Sequence, residues 1–232
     1  MSGPPVISII VPVFNEESTV TAVIDRLRRI DLPAAREIIV VNDGSSDRTA
    51  AVLNGIDASG GVTILHVGVN RGKGHAIRVG LSHARGTVVA IQDADLELDP
   101  AQIGALVAPI LRGEADVVYG SRFLAGRPAA PALTLAANRG LTSITNLLSR
   151  SAITDMETCY KVMRTDVARG LGLRANRFDI EPEITARLLR AGHRIVELPI
   201  TFTPRSRAAG KKIGWRDGLQ AIAVLLRLRL SG

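Results

Sequence analysis

The sequence is poor in the residues that mark several common classes of protein. Of its 232 residues one is a cysteine, Cys159, which excludes an internal disulfide framework and a cysteine-rich zinc site. Aromatic residues make up 3% of the chain, whereas nucleic-acid-binding surfaces usually combine basic side chains with stacking aromatics. We therefore expect no nucleic-acid partner.

Long apolar runs are also missing. No stretch reaches the roughly 18–20 uninterrupted apolar residues that span a bilayer as a helix. The opening segment MSGPPVISIIVPV has no basic residue ahead of its apolar run, so a secretory signal peptide is not expected. No Gly-x-Gly-x-x-Gly follows the first predicted strand, which disfavours a dinucleotide-dependent dehydrogenase. These observations predict a cytoplasmic protein that does not cross a membrane.

The positive charge is concentrated at the carboxyl-terminal end. The chain carries a formal charge of +7, and from Thr201 onward it has seven basic residues against one acidic residue, Asp217. The tail therefore accounts for +6, and the first 200 residues are nearly neutral. A local anionic partner, such as a phosphate group or an acidic membrane face, fits this distribution.

The apolar pattern alternates between two periods over about the first 120 residues. A 46% hydrophobic content supports one substantial domain. Short runs rich in β-branched residues predict buried strands over 6–13, 38–41, 62–67, 87–92 and 117–119. Apolar residues spaced by three and four predict helices over 16–30, 72–85 and 100–111, and further along 136–148. This alternation predicts an α/β fold, with a Rossmann-like, mostly parallel sheet and helices on both faces.

Acidic residues follow the fourth predicted strand at alternate positions. Asp93, Asp95, Glu97 and Asp99 come directly after an apolar run. In extended chain, carboxylates at i and i+2 point the same way and repel unless a cation lies between them. Hard oxygen ligands suit Mg²⁺ or Mn²⁺, and ligands of open α/β sheets bind beyond the carboxyl ends of the strands. The alternative is a solvated acidic turn in which Asp99 caps the next helix.

The ordered motifs of the chain resemble a known family. VPVFNEE, VVNDGSSD, NRGKGHAIRVG, QDADLELDP and VVYGSRF are similar to those of inverting family 2 glycosyltransferases with the GT-A fold. The later motifs DMETCYKVMR, FDIEPEIT, ELPITF and GKKIGWRDG resemble the branch of dolichyl- and polyprenyl-phosphate sugar synthases. The resemblance extends from about residue 6 to residue 226. It implies a single domain over 1–232, with a nucleotide-sugar half at about 6–120, an acceptor half at about 121–205 and a basic amphipathic tail at about 206–232.

The resemblance also implies a role for individual residues of the donor half. Nucleotide-binding positions correspond to Pro12, Phe14, Asn15, Glu16, Asp43, Lys73, Gly74 and Asp93. Asp43 would recognise the base or the ribose, although a turn residue in Asn-Asp-Gly is the simpler interpretation. Asp93 and Asp95 correspond to the pair that holds Mg²⁺ or Mn²⁺, with Asp95 the direct ligand and Glu97 farther out.

In the acceptor half, the resemblance assigns catalytic positions to Asp95, Arg122, Arg205, Glu181 and Glu183. Arg122 and Arg205 correspond to residues that grip an acceptor phosphate, and Arg139 is a further candidate. Either glutamate corresponds to the catalytic carboxylate or binds the sugar, while a capping role is open for Glu181. Relatives have a mobile loop at the position of the two lysines of Gly-Lys-Lys-Ile.

The implied activity is inverting transfer of a hexose or N-acetylhexosamine from a nucleoside diphosphate sugar, UDP favoured, to a polyprenyl phosphate. The alternatives are a soluble phosphorylated or glycan acceptor, and a non-catalytic nucleotide-binding module. Trp215, Leu219, Ile222, Ala223 and Leu226 predict one apolar helical face in the tail, flanked by arginines. We expect peripheral contact with the cytoplasmic membrane face there, or packing of this helix on the core.

Overall fold

The computed structural model describes residues 6–126, 128–204 and 215–230. The strands in these ranges are β1 Val6–Val13, β2 Ala35–Asp43, β3 Val62–Val67, β4 Val88–Ile91, β5 Val117–Ser121, β6 Lys161–Arg164 and β7 Ile195–Pro199. The helices are α1 Val20–Arg29, α2 Thr49–Asn54, α3 Lys73–His83, α4 Ile103–Leu111, α5 Ala132–Ser149, α6 Thr165–Gly170, α7 Ile180–Arg190 and α8 Trp215–Leu230. A 3₁₀ turn, Pro100–Gln102, precedes α4.

The strands form one sheet in the order β3-β2-β1-β4-β6-β5-β7. β1 pairs in parallel with β2 and β4, β2 with β3, and β5 with β7. β6 runs antiparallel between β4 and β5. The predicted α/β fold with a mostly parallel sheet is confirmed, and β6 adds an antiparallel strand in the segment DMETCYKVMR, for which the apolar pattern predicts none.

Alternate residues of β2 enter separate clusters on the two faces of the sheet. Ile38 and Val40 belong to the main core, whereas Ile39 and Val41 form a second cluster with Ala76 of α3. Successive side chains of a strand point to opposite faces, so both faces of β2 are covered. The all-apolar run of β2 follows from this burial, because a strand covered on both sides shows no polar alternation.

Helices α1 and α4 bury the predicted apolar stripes. Their buried residues are Val20, Val23, Ile24 and Leu27 in α1, and Ile103, Leu106, Val107, Pro109 and Ile110 in α4. Ahead of α4, the Asp99 side chain accepts a hydrogen bond from the Ala101 N–H, 3.1 Å. Asp99 is therefore the N-cap of the 3₁₀ turn, the role given to it in the alternative reading of the acidic stretch.

The apolar face of α8 differs from the one that the sequence predicts. Its buried residues are Ala221, Val224, Leu225 and Leu228, and the last three pack in a cluster with Ile153 and Met156. Ala223 and Leu226 of the predicted apolar face are exposed, and the side chains of Trp215 and Leu219 lie outside the described residues. The helix is apolar on most sides, so periodicity alone does not select the packed face. None of the helices that the structure describes has the length and apolar character needed to span a bilayer.

Candidate active site

A cleft of about 450 Å³ opens at the carboxyl ends of β1, β2 and β4. Its lining includes the sequence-predicted residues Pro12, Phe14, Glu16, Asp43, Lys73, Asp93, Asp95, Arg122 and Glu181. The structure thus gathers most of the predicted site. Asn15, Gly74 and Glu183 are absent from this lining, and Arg205 and the Gly-Lys-Lys-Ile lysines lie outside the described residues.

Asn15 lies outside the cleft lining and is hydrogen-bonded to the loop after β2. Its backbone has φ of 52°, a left-handed conformation that asparagine tolerates better than most residues. Its N–H donates to Ser45 Oγ at 3.0 Å, and its Oδ1 accepts from the Ser46 N–H at 2.8 Å. These bonds join the end of β1 to the loop after β2. The position predicted as a nucleotide contact is therefore occupied by a structural bridge.

Asp43 lines the cleft and also fixes the backbone of a neighbouring loop. Its Oδ2 accepts hydrogen bonds from the N–H groups of Arg71 at 3.0 Å and Gly72 at 2.5 Å. Its Oδ1 lies 3.3 Å from Nδ1 of His75. The buried carboxylate thus holds the loop between β3 and α3, which in turn shapes this side of the cleft.

The amino end of α3 borders the cleft at Gly72 and Lys73, and it also packs closely against the 175–177 segment. A Cβ atom on Gly72, whose φ is +107°, would lie 2.5 Å from the Asn176 carbonyl oxygen. One on Gly74 would lie 2.5 Å from the Ala175 carbonyl oxygen, and the Gly74 N–H donates to the Arg177 carbonyl at 3.2 Å. The Gly74 N–H is therefore engaged by the 175–177 segment, and Gly74, predicted as a nucleotide-binding position, lies outside the cleft lining.

The loop that carries Asp93 and Asp95 is anchored from the core. Gln92, fully buried, donates through Nε2 to the Asp93 carbonyl at 2.9 Å. The Tyr160 hydroxyl donates to Gln92 Oε1 at 2.6 Å, tying the loop to the residue before β6. Leu96, which directly follows Asp95, has a φ of 62°, which is rare for a leucine. Such a conformation persists only where surrounding contacts enforce it, and it is common at functional sites.

Four charged side chains of alternating sign form a row that leads from the cleft wall into the core. Lys73 Nζ lies 2.8 Å from Asp93 Oδ1 and 2.9 Å from Glu181 Oε1, the second contact being an ion pair without hydrogen-bond geometry. Lys161 Nζ donates to Glu181 Oε2 at 2.6 Å and to the Met156 carbonyl at 2.9 Å. Burial opposes charge on Lys73, but its carboxylate neighbours raise its pKa well above the ordinary value. Burial likewise opposes charge on Asp93, yet Lys73 lowers the pKa of that carboxyl.

The row Asp93–Lys73–Glu181–Lys161 balances its own charge, which allows it to be buried. Lys161 is fully buried, and its Nζ lies 4.9 Å from the centre of the Tyr119 ring. Sequence reasoning missed Lys161. The sequence does place this lysine within an otherwise apolar run, Cys-Tyr-Lys-Val-Met. Burying the amine there costs folding free energy unless it has hydrogen-bond or ion-pair partners.

Arg122 is held in a fork by the fully buried Asp155. Nε and Nη2 each donate to an Asp155 carboxylate oxygen at 2.7 Å, and the Arg122 N–H donates to the same group at 3.0 Å. The guanidinium lies 5.4 Å from the centre of the Phe202 ring. Burial disfavours the charged form, but Asp155 raises the pKa of Arg122 above its ordinary value. The fork fixes the Arg122 guanidinium at the edge of the cleft, and Nη1 takes no part in the fork. Sequence reasoning did not identify Asp155.

The two glutamates of the Glu-Pro-Glu motif have different surroundings. Glu181 lines the cleft and belongs to the buried charged row. Glu183 Oε2 accepts from the N–H groups of Arg174 at 2.9 Å and Ala175 at 2.7 Å, while Oε1 accepts from Arg187 Nε at 2.8 Å. Glu183 therefore fixes the loop before α7, and its position does not support the catalytic role that the sequence left open.

Glu157 is a further carboxyl group in the cleft wall that sequence reasoning missed. Its Oε1 is shielded from solvent and has no hydrogen-bond partner among the described residues. Burial raises the pKa of Glu157 from 4.5 to about 7, although Lys161 and Arg122 oppose the shift. The motif Asp-Met-Glu-Thr-Cys gave no signal for this, because an acidic side chain in such a segment is usually solvated.

The carboxylates of the cleft fit a cation that is shared with a ligand. The described residues contain no cluster of three or more His, Cys, Asp or Glu side chains able to hold a metal by themselves. Asp93 and Asp95 supply oxygen donors, and Mg²⁺ commonly binds through one or two carboxylates plus phosphate oxygens. Lys73 already balances part of the charge of Asp93, which favours Asp95 as the direct ligand.

Known proteins with similar sequences include glycosyltransferases. Glycosyltransferase AglD of Haloferax volcanii is 28% identical over 208 residues, which are 86% of this chain and 33% of that protein. Dolichol-phosphate mannosyltransferase of Pyrococcus furiosus is 27% identical over 213 residues, which are 90% of this chain and 59% of that protein. The chain thus spans 33% and 59% of the lengths of these two relatives.

A crystal structure of glucosyl-3-phosphoglycerate synthase from Mycobacterium tuberculosis, in complex with Mn²⁺, UDP and glucosyl-3-phosphoglycerate, has a similar fold. The TM-score is 0.73 at 20% identity, and the match covers 97% of this chain and 80% of that chain. The expected GT-A fold is confirmed. A family model described as Glycosyl transferase family 2 matches residues 8–172. The chain therefore belongs to glycosyl transferase family 2.

Proposed function

We propose that the protein transfers a hexose or an N-acetylhexosamine from a nucleoside diphosphate sugar, UDP favoured, to a polyprenyl phosphate, with inversion. The observation that carries this proposal is one cleft lined by the carboxylates of Asp93 and Asp95 and by the fixed guanidinium of Arg122. A transferase between two phosphates needs a cation site for the departing diphosphate and a cationic group for the incoming phosphate. Membership in family 2 and the mannosyltransferase relative support this assignment.

On the donor side, Pro12, Phe14 and Asp43 would line the pocket of the nucleoside. Asp93 and Asp95 would hold Mg²⁺ or Mn²⁺, in line with the Mn²⁺ and UDP present in the structural neighbour. When bound, such a cation would withdraw charge from the departing diphosphate. Lys73 would fix the Asp93 carboxylate at its place beside the cleft.

On the acceptor side, Arg122 would orient the acceptor phosphate through Nη1, since Asp155 fixes the rest of the guanidinium. Arg205, outside the described residues, would assist. The acceptor oxygen forms a bond to the anomeric carbon as the bond to the diphosphate oxygen breaks on the opposite face. A phosphate acceptor is already ionised, so the reaction needs no strong general base. Glu181 would then orient Lys73 or bind the sugar.

Contact with a membrane surface belongs to the same proposal. Leu226, 44% exposed, and Arg227 lie on the outer side of α8, and Leu133 and Leu147 of α5 are 82% and 81% exposed. Apolar and basic side chains on neighbouring helices suit the membrane interface, where a polyprenyl phosphate resides. In this proposal the donor half extends over about 6–120, the acceptor half over about 121–205 and the membrane-contacting tail over about 206–232. The protein is then peripherally associated with the cytoplasmic face of the membrane.

The direct test is a partition assay with radiolabelled UDP-sugars, Mn²⁺ and polyprenyl phosphate in detergent. Label that moves into the organic phase with wild-type protein, and not with Asp95→Asn or Arg122→Gln, is the expected result. Glu114→Gln removes an exposed carboxylate that is not part of the cleft lining, and it is the matched control, expected to retain activity.

The remaining outcomes separate the alternatives. Label confined to the aqueous phase in a new sugar-phosphate or glycan product would reject the lipid acceptor in favour of a soluble one. Nucleotide binding without turnover of any donor, across the UDP- and GDP-sugars, would indicate a non-catalytic binding module.

A further inference from the structure

Glu157 is a cleft residue to which the proposed function assigns no role. It lies between Asp155, the partner of Arg122, and Lys161, the partner of Glu181. Its side chain contributes to the wall of the cleft, and its Oε1 is buried without a hydrogen-bond partner among the described residues. A buried acceptor in this state costs folding free energy, so such atoms are uncommon without a ligand, a water or a functional reason.

The neighbouring cations do not supply the missing hydrogen bond. Arg122 uses Nε and Nη2 on Asp155, and Lys161 uses its amine on Glu181 and on the carbonyls of residues 156 and 158. Both cations influence Glu157 electrostatically, but neither donates a hydrogen bond to Oε1. Glu157 thus lines the cleft with a carboxylate whose Oε1 is shielded from solvent and has no hydrogen-bond donor among the described residues.

The surrounding charges restrict the group that can bind there. A phosphate would be repelled by the carboxylate, and Arg122 offers it a better place close by. A neutral O–H donor satisfies the carboxylate without adding charge to a site that already contains Glu181 and Asp155. In the proposed reaction the sugar ring lies between the diphosphate near Asp95 and the acceptor phosphate near Arg122, and its hydroxyl groups are such donors.

We infer that Glu157 is a specificity-determining residue whose carboxylate binds a hydroxyl group of the transferred sugar. This inference rests on the proposed function, because it requires the donor to occupy the cleft. It assigns Glu157 to the sugar and not to the nucleotide. A donor sugar that lacks the hydroxyl at that position leaves the carboxylate unsatisfied and binds more weakly, which is how a polar site rejects a deoxy analogue.

The test compares UDP with a UDP-sugar on the full chain. Titration calorimetry with Mn²⁺ measures the affinity of wild type, Glu157→Gln and Glu157→Ala for UDP and for the tightest binder among UDP-glucose, UDP-galactose and UDP-N-acetylglucosamine. We expect unchanged affinity for UDP and a loss of about tenfold for the UDP-sugar in Glu157→Ala, the size of one hydrogen bond to a charged group. Glu157→Gln, which keeps an acceptor oxygen, should lose less. Monodeoxy analogues of the same sugar identify the hydroxyl, since one of them should bind wild type and Glu157→Ala equally.

The possible results distinguish a failure of this inference from a failure of the proposed function. Glu114→Ala, a change of an exposed carboxylate, should leave both affinities unchanged. Equal losses for UDP and the UDP-sugar, or no loss for either, overturn the inference while leaving the proposed function intact. A wild-type protein that binds neither UDP nor GDP, nor any of their sugars, overturns the proposed function and this inference with it. Thermal unfolding of each variant checks that the fold is kept. If Glu157→Ala does not fold, the comparison is made with Glu157→Gln, which has nearly the same shape as glutamate.

Discussion

At the residue scale, the protein carries charged side chains into its interior and pairs those of the row and of the fork on Arg122. Lys161 and Asp155 are fully buried, and Glu181 is 4% exposed. A buried ion pair adds little net stability by itself, but removing one partner leaves an uncompensated charge. The charged row and the fork on Arg122 thus fix the side chains around the cleft, and each member depends on its neighbours.

Replacement of Lys161 by methionine should destabilise the fold by about 3–5 kcal/mol, because Glu181 keeps a buried charge and loses a partner. Urea unfolding measures this change. Arg164→Met in the same strand β6 removes an exposed cation paired with Asp166 and should cost less than about 1 kcal/mol. Equal effects of the two substitutions would contradict the view of the row as an interdependent unit.

Glu157 should make stability fall as the pH rises. Its pKa is raised from 4.5 to about 7, so the folded protein holds a proton that the unfolded chain has already released between these values. Stability is therefore lost from about pH 4.5 to pH 7, by up to roughly 3 kcal/mol, and is level above. Glu157→Gln, which cannot titrate, should remove this part of the slope in urea unfolding followed across that range. If the free energy of unfolding of wild type and variant changes equally with pH over that range, the raised pKa of Glu157 is refuted.

At the element scale, the contact between the amino end of α3 and the 175–177 segment sets one side of the site. Gly72 and Gly74 allow backbone to approach backbone there, and Asp43 holds the loop ahead of the helix. A glycine-rich start of a helix often binds phosphate. In this protein the N–H of Gly74 donates to a carbonyl of the protein, so the same sequence feature serves packing.

Gly74→Ala should destabilise the protein by about 1–3 kcal/mol, because a Cβ at that position would lie 2.5 Å from the Ala175 carbonyl oxygen. Gly140→Ala in α5 is the matched control, since the added Cβ meets nothing within 4 Å. That change should stabilise by up to about 1 kcal/mol through helix propensity. Urea unfolding of both variants decides the point, and stabilisation by Gly74→Ala would show that the two segments are not in close contact.

At the scale of the whole molecule, ligand binding and folding are linked through the cleft. Its walls come from the ends of β1, β2 and β4, from the segment around Glu157 and from the start of α7. A ligand that binds only the folded state raises the unfolding temperature according to its concentration and affinity. Ligand-dependent stabilisation therefore reports on the assembled site without requiring turnover.

UDP should raise the unfolding temperature of the wild type in the presence of Mn²⁺ or Mg²⁺, and much less after chelation by EDTA. At a UDP concentration 100 times its dissociation constant, the stabilisation amounts to about 2.7 kcal/mol. Asp95→Asn should remove the metal-dependent part, whereas Glu114→Gln should retain it. If UDP raises the unfolding temperature equally with and without the cation, Asp93 and Asp95 do not hold a cation that binds UDP.

Patterns that are local in the chain determined much of this protein. Periodicity of apolar residues predicted the strands of the nucleotide half, and the position of Asp43, Asp93 and Asp95 after those strands placed them at one edge of the sheet. This works because parallel strands bring their carboxyl ends to the same edge. Arg122, which follows β5, entered the cleft for the same reason.

Only the tertiary structure decided which charges are buried and which glycines pack. Lys161 and Asp155 are paired with Glu181 and Arg122, which are distant in the chain. The different surroundings of Glu181 and Glu183 likewise depend on contacts that only folding forms. The packed face of α8 was also undetermined, since a helix apolar on most sides can turn several faces inward. Sequence periodicity specifies which side of an element is apolar, whereas the cost of burying a charge depends on groups that only folding brings within hydrogen-bond distance.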